Sequence, residues 1–167
     1  SELELQQSEI KNKIISENQV KNQNLKNEKA DLKIRTKLLT NEILELNKKY
    51  SNNNTEIEKA EIERQQLIEK WKAEKQKTFQ EKKIEIKTTC PTCRQKLPES
   101  EIEAAKNNLI ETNEKERAAF NLSKAKTISE IEKRGSELKV KITDLKADNT
   151  RIQAELDTKK TELKQTA

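Results

Sequence analysis

Leu25, Leu32, Leu39 and Leu46 stand seven residues apart. The positions four residues after them are Lys29, Thr36, Ile43 and Tyr50, and the same frame runs on through Asn53, Ile57, Ala60, Arg64, Leu67 and Trp71. An apolar position every 3.5 residues over more than six heptads is the pattern of a left-handed coiled coil, because it keeps one narrow stripe facing a partner helix. A second frame carries Ile131, Leu138, Leu145 and Ile152, with Gly135, Ile142, Asn149, Leu156 and Leu163 as companions. Before Leu25 the phase changes, and Leu3, Ile10 and Ile14 belong to another frame.

Composition supports helices and argues against a globular core. Charged residues make up 39% of the 167 and aromatics 2%, which leaves too few large apolar side chains to fill a compact interior. Such a balance is also found in disordered chains. Here the sustained periodicity and the near-absence of breakers, one glycine and two prolines, favour long helices. The net charge of +5 is small, and before Cys90 there are 19 basic and 16 acidic residues. Interspersed signs of this kind describe a solvated coiled-coil surface. Direct nucleic-acid contact by these residues is not expected, since the interleaving of basic and aromatic residues that tracks a strand is missing. No apolar run reaches the ~20 residues of a membrane span, and no signal sequence is present.

Between the two periodic regions lies a different composition. Ile84, Glu85, Ile86, Lys87, Thr88 and Thr89 are rich in β-branched side chains, and Cys90, Pro91, Thr92 and Cys93 follow. Pro91 excludes a helix interior and biases Cys90 towards an extended backbone. Pro98 suits the first turn of a new helix, with Glu99, Glu101 and Glu103 at the positive end of its dipole. The expected organisation is an all-α, long antiparallel coiled-coil hairpin. Residues 1–87 form the ascending arm, 88–97 the tip, and 98–167 the descending arm. Counting outward from the cysteines, Leu46 matches Leu138 in height, Leu39 matches Leu145 and Leu32 matches Ile152. The same count sets Asn149 opposite the region of Thr36. It also brings Gly135 level with the weak helix formers Ser51, Asn52, Asn53 and Asn54, which reads as chance among surface asparagines, as a flexible joint, or as a small residue making room for Tyr50. Trp71, Phe79, Tyr50 and Phe120 are expected at or near the seam. Phe79, Ile84 and Ile86 are expected to pack together, or against a partner, near the tip.

Cys90 and Cys93 are the only cysteines, and the chain has no histidine. A structural zinc site takes about four ligands in a tetrahedron, so CxxC is half of one. The expectation is one zinc per two chains, held by Cys90 and Cys93 of each, in a homodimer joined tip to tip. One close cysteine pair with metal-bound thiolates points to a reducing compartment, cytoplasm or nucleus. Arg94 stands where many such knuckles have glycine. Arg94 and Lys96 are also candidates to offset the charge of a zinc tetrathiolate. Two other readings of the pair stay open. One is a thiol–disulfide redox enzyme or sensor with Cys90 as nucleophile and Cys93 as resolver, although its usual βαβ surroundings are missing. The other is a metal-independent rod. No catalytic motif is present, and Glu61 and Glu63 point in different directions on a helix.

A long helix, the CPTC turn, and Lys96, Leu97, Pro98 and Glu99 opening a second long helix together resemble the zinc hook of SMC-like DNA double-strand-break-repair ATPases of the SbcC type, including their phage recombination-nuclease counterparts. The specific part of the resemblance is residues 88–101. It implies that Cys90 and Cys93 are hook ligands. It further implies a larger protein with ABC-type ATPase lobes, a metal-dependent nuclease partner, and paired hooks that bridge DNA-bound heads (in a host's cytoplasm if the source is a phage). The chain itself has no GxxxxGK loop and so no ATPase of its own.

Overall fold

The computed structural model describes residues 1–83 and 85–166. It contains two long helices that pack against each other, α1 (Glu2–Gln76) and α2 (Glu99–Thr166). By contact density the chain divides into two units, Ser1–Ile57 with Asp144–Ala167, and Glu58–Thr143. No helix among the described residues is long and apolar enough to cross a membrane.

In the first unit the helices run antiparallel. Lys159 meets Glu42 at 2.8 Å, and Asn149 meets Asn53 at 2.9 Å. The buried side chains are Leu39, Ile57, Ile152 and Leu156, with Asn149 among them. Ile43, Leu46, Tyr50 and Asn53 are half-buried beside them. These are the heptad positions read from sequence. The frame fails at its start: every residue from 1 to 35 is exposed, Leu25 and Leu32 included, because α2 supplies no helix alongside them. Residues 51–54 are continuous helix rather than an interruption.

The second unit is built on the same seam. Ala60, Leu138 and Ile142 are buried. Leu67, Ile68, Trp71, Ile128, Ile131 and Gly135 are half-buried, whereas Arg64 is exposed. Arg134 forks onto Glu63, and the Trp71 indole N–H donates to Glu132 at 2.9 Å. Gly135 faces a shallow groove between Leu67, Trp71 and Ile131, and a Cβ placed on it would meet nothing within 4 Å. It belongs to this unit, whereas Tyr50 and residues 51–54 belong to the first.

The ascending arm stops being helical eleven residues earlier than the expected Lys87. The reason is visible in the heptad frame beyond Trp71. The next seam positions are Glu74, Thr78, Glu81 and Glu85, so a longer helix would have no apolar stripe to bury. Alternation takes over instead, and Ile86 is half-buried between exposed Glu85 and Lys87. Ile84, expected to join this packing, lies outside the described residues. Lys124 closes the helix end by donating to the carbonyls of Lys75 and Lys77, at 2.9 and 2.7 Å.

Beyond that cap the chain runs along α2 in extended form. Phe79 packs on Phe120, Glu81 pairs with Arg117, and Lys82 pairs with Glu116. The Lys82 carbonyl accepts from the Asn113 amide at 3.3 Å. From Phe79 to Lys82, three residues cover the height of the seven between Phe120 and Asn113, about 10 Å at 1.5 Å per helical residue. That corresponds to roughly 3.3 Å per residue, the rise of a strand.

Matching heights by residue count therefore fails. Trp71 lies 19 residues before Cys90, whereas its partner Glu132 lies 39 after Cys93. At the rise seen from Phe79 to Lys82, each extended residue climbs as far as about two helical ones, which shifts the count in that direction. The pairing of Leu46 with Leu138 is overturned, since the two residues belong to different units. So is the placement of Asn149 near Thr36, since Asn149 bonds Asn53 and Asn54.

Candidate metal centre

The turn between the helices is held by a small backbone framework. Thr89 and Lys96 form an antiparallel bridge. The Cys90 amide donates to the Gln95 carbonyl, and the Leu97 amide donates to the Thr88 carbonyl, both at 2.9 Å. The Arg94 amide closes the bend by donating to the Cys90 carbonyl, also at 2.9 Å. Pro91 has no amide to place, so it fits the corner of this turn. Pro98 stands just before α2, and its carbonyl accepts from Glu101 and Ile102. Glu99 and Glu101 occupy the first turn, where the helix dipole favours negative charge.

Arg94 has φ 58°, the left-handed conformation. This is the position at which many CxxC knuckles have glycine. The backbone keeps the conformation a glycine would adopt freely, and arginine bears its steric cost. The Arg94 and Lys96 side chains are exposed.

The two cysteines come within 3.4 Å of each other and are free thiols. Cys93 is exposed and Cys90 half-exposed. The amide of Cys93, then that of Thr92, hydrogen-bonds to the Cys90 sulfur and holds its thiol below the ordinary range. Both amides favour the charged form, which is the form that binds a metal. Two thiolates brought together on one turn are half of a tetrahedral zinc site, in which each would lie at ~2.3 Å from the metal. The donor set is therefore suited to a soft or borderline cation. It is also incomplete. Among the described residues no group of three or more His, Cys, Asp or Glu side chains stands together to hold a metal ion.

Sequence reasoning singled out Cys90 and Cys93, which the turn brings together. It missed two residues that hold the segment leading to them: Lys124 as the cap of α1, and Asn113 as the anchor of the Lys82 carbonyl. Of these, Asn113 alone left a trace, as an asparagine between Leu109 and Phe120 on the half-buried face of α2. No family model matches the chain, and no curated protein or solved structure is similar to it.

Proposed function

We propose that this chain is a zinc-mediated homodimerisation module, in which Cys90 and Cys93 of two copies complete one four-thiolate site. The observation that carries the reading is the half-built site. Two free cysteines come within 3.4 Å of each other on an exposed turn, one is held towards its thiolate by two amides, and no group of three or more ligands forms among the described residues. A bound zinc would supply the bond between copies, because residues 88–97 are nearly all exposed, with Leu97 the one large apolar side chain among them. With ligands at the turn and helices leading away from it, the role is a tether. The resemblance of residues 88–101 to the zinc hook extends the proposal to a DNA repair or recombination ATPase whose DNA-bound head complexes are bridged by paired hooks.

A lowered Cys90 thiol also serves a thiol–disulfide exchanger, so that reading is kept as the second one. One experiment separates the two. Metal content and molar mass are measured on protein purified without chelator or reductant. The tether predicts half a zinc per chain and a dimer that becomes monomeric with chelator or with Cys90→Ser. A monomer that keeps one zinc per chain overturns it. A metal-free monomer that turns over disulfide substrates establishes the exchanger instead.

A further inference from the structure

The seam of the first unit contains one feature that its apolar residues do not need. Asn149 is 7% exposed and lies on α2 among Ile152, Leu156 and Leu145. Its side-chain nitrogen donates to the Asn54 Oδ1 at 2.8 Å, and its Oδ1 accepts from the Asn53 amide at 2.9 Å. The same Asn53 nitrogen donates to Asp148 at 2.9 Å, and Arg151 pairs with Asp148 from the next turn. Both polar atoms of Asn149 are thus satisfied by two successive residues of α1.

The remainder of the seam is degenerate. Leu39 and Leu46 on one helix, and Leu145 and Ile152 on the other, repeat every seven residues. A slide of α2 by one heptad would again set apolar positions against apolar positions. Within the buried seam the asparagines distinguish the two arrangements, and at its rim Lys159 would lose Glu42 as well. After such a slide Leu46 or Ala60 would replace Asn53, and the buried Asn149 Oδ1 would lose its donor.

We infer that Asn149, with Asn53 and Asn54, is a register pin that selects one alignment of α1 and α2 out of several nearly equivalent ones. A polar residue at a seam position selects register in this way at some cost in stability. The inference does not depend on the proposed metal tether.

The test uses the full chain with Cys90→Ser and Cys93→Ser, so that no metal takes part, and with spin labels on cysteines placed at Glu42 and Lys159. The expected parent result is one narrow distance. Asn149→Leu is expected to keep the helicity and thermal stability at or above the parent's. Its distance distribution should gain a second, longer population, because a slide of one heptad, ~10 Å along the axis, carries the labels out of level. Asn53→Ala, which leaves the buried amide in place but removes its acceptor's partner, should broaden the distribution too, and serves if the leucine variant misfolds. One narrow, undisplaced distance in a folded variant overturns the inference, as does a parent that is already heterogeneous.

Discussion

Phe79 and Phe120 meet with their ring centroids 5.8 Å apart and tilted by 51°. Here the chain ceases to pair helix with helix and begins to pair an extended segment with a helix. Arg117 approaches the Phe79 ring as well. Phe79→Ala is expected to cost about 2 kcal/mol, less than a fully buried phenylalanine because the ring is half-buried. Urea unfolding checks the magnitude. Far-ultraviolet dichroism should stay close to the parent's, since Phe79 lies outside both helices.

Lys124 caps α1 from across the pair. Its ammonium replaces the amide donors that helix ends lack, at the two carbonyls of Lys75 and Lys77. Lys124→Ala should destabilise by about 1 kcal/mol and quicken amide exchange around residues 75–79 first. Lys124→Arg should recover part of the protection. Uniform exchange along α1 in the alanine variant would contradict the capping role.

The pairing of Glu63 with Arg134 makes the second unit sensitive to acid. The Arg134 hydrogen bond, with its charge, holds the Glu63 carboxyl below its ordinary 4.5. A depressed carboxyl contributes stability that is complete above the unfolded value and lost as pH falls through the folded one. The melting temperature should therefore drop between about pH 5 and pH 3. The drop from this pair is small, because both partners are exposed. Arg134→Ala should lower the melting temperature at neutral pH and flatten that part of the acid profile.

Arg94 tests whether the tip is shaped by backbone or by charge. Arg94→Gly removes the cost of a left-handed residue, which is about 1 kcal/mol, but raises the entropy of the unfolded chain by a similar amount. It should leave stability and metal affinity nearly unchanged. Arg94→Val keeps the turn strained and should weaken metal binding several-fold. If glycine and valine are equally harmful, the arginine side chain matters more than its φ.

Metal affinity should also fall in acid, because protons compete for the thiolates. Zinc titration between about pH 8 and pH 5 is the measurement, with Cys93→Ser as the control that binds no stoichiometric metal.

The sequence announced the seam and the turn, and for different reasons. Leu39, Ile57, Leu138 and Ile152 are buried where the 3.5-residue repeat set them, because a two-helix interface has few other ways to hide apolar surface. Cys90 and Cys93 are adjacent because CxxC with a proline is short enough to dictate its own bend. The end of α1 was harder to read. Residues 77–83 have good helix formers and no glycine or proline, so local propensity points one way while the loss of the apolar stripe after Trp71 points the other. The second influence prevails, as packing usually does over propensity. The facing partners of Trp71 and Asn149 were illegible by counting, since they depend on how far each residue of an unrecognised extended segment travels. Nothing in the sequence marked Lys124 as a cap, because a surface lysine and a carbonyl-bound one look alike.

The strand-like run beside α2 also changes what a length mutation would do. Removing one residue from a helix turns everything after it by about 100° and would misdirect a cysteine. Removing one from residues 77–83 exchanges inner for outer side chains locally. Natural variants of this chain should tolerate insertions in that stretch far better than between Leu39 and Trp71.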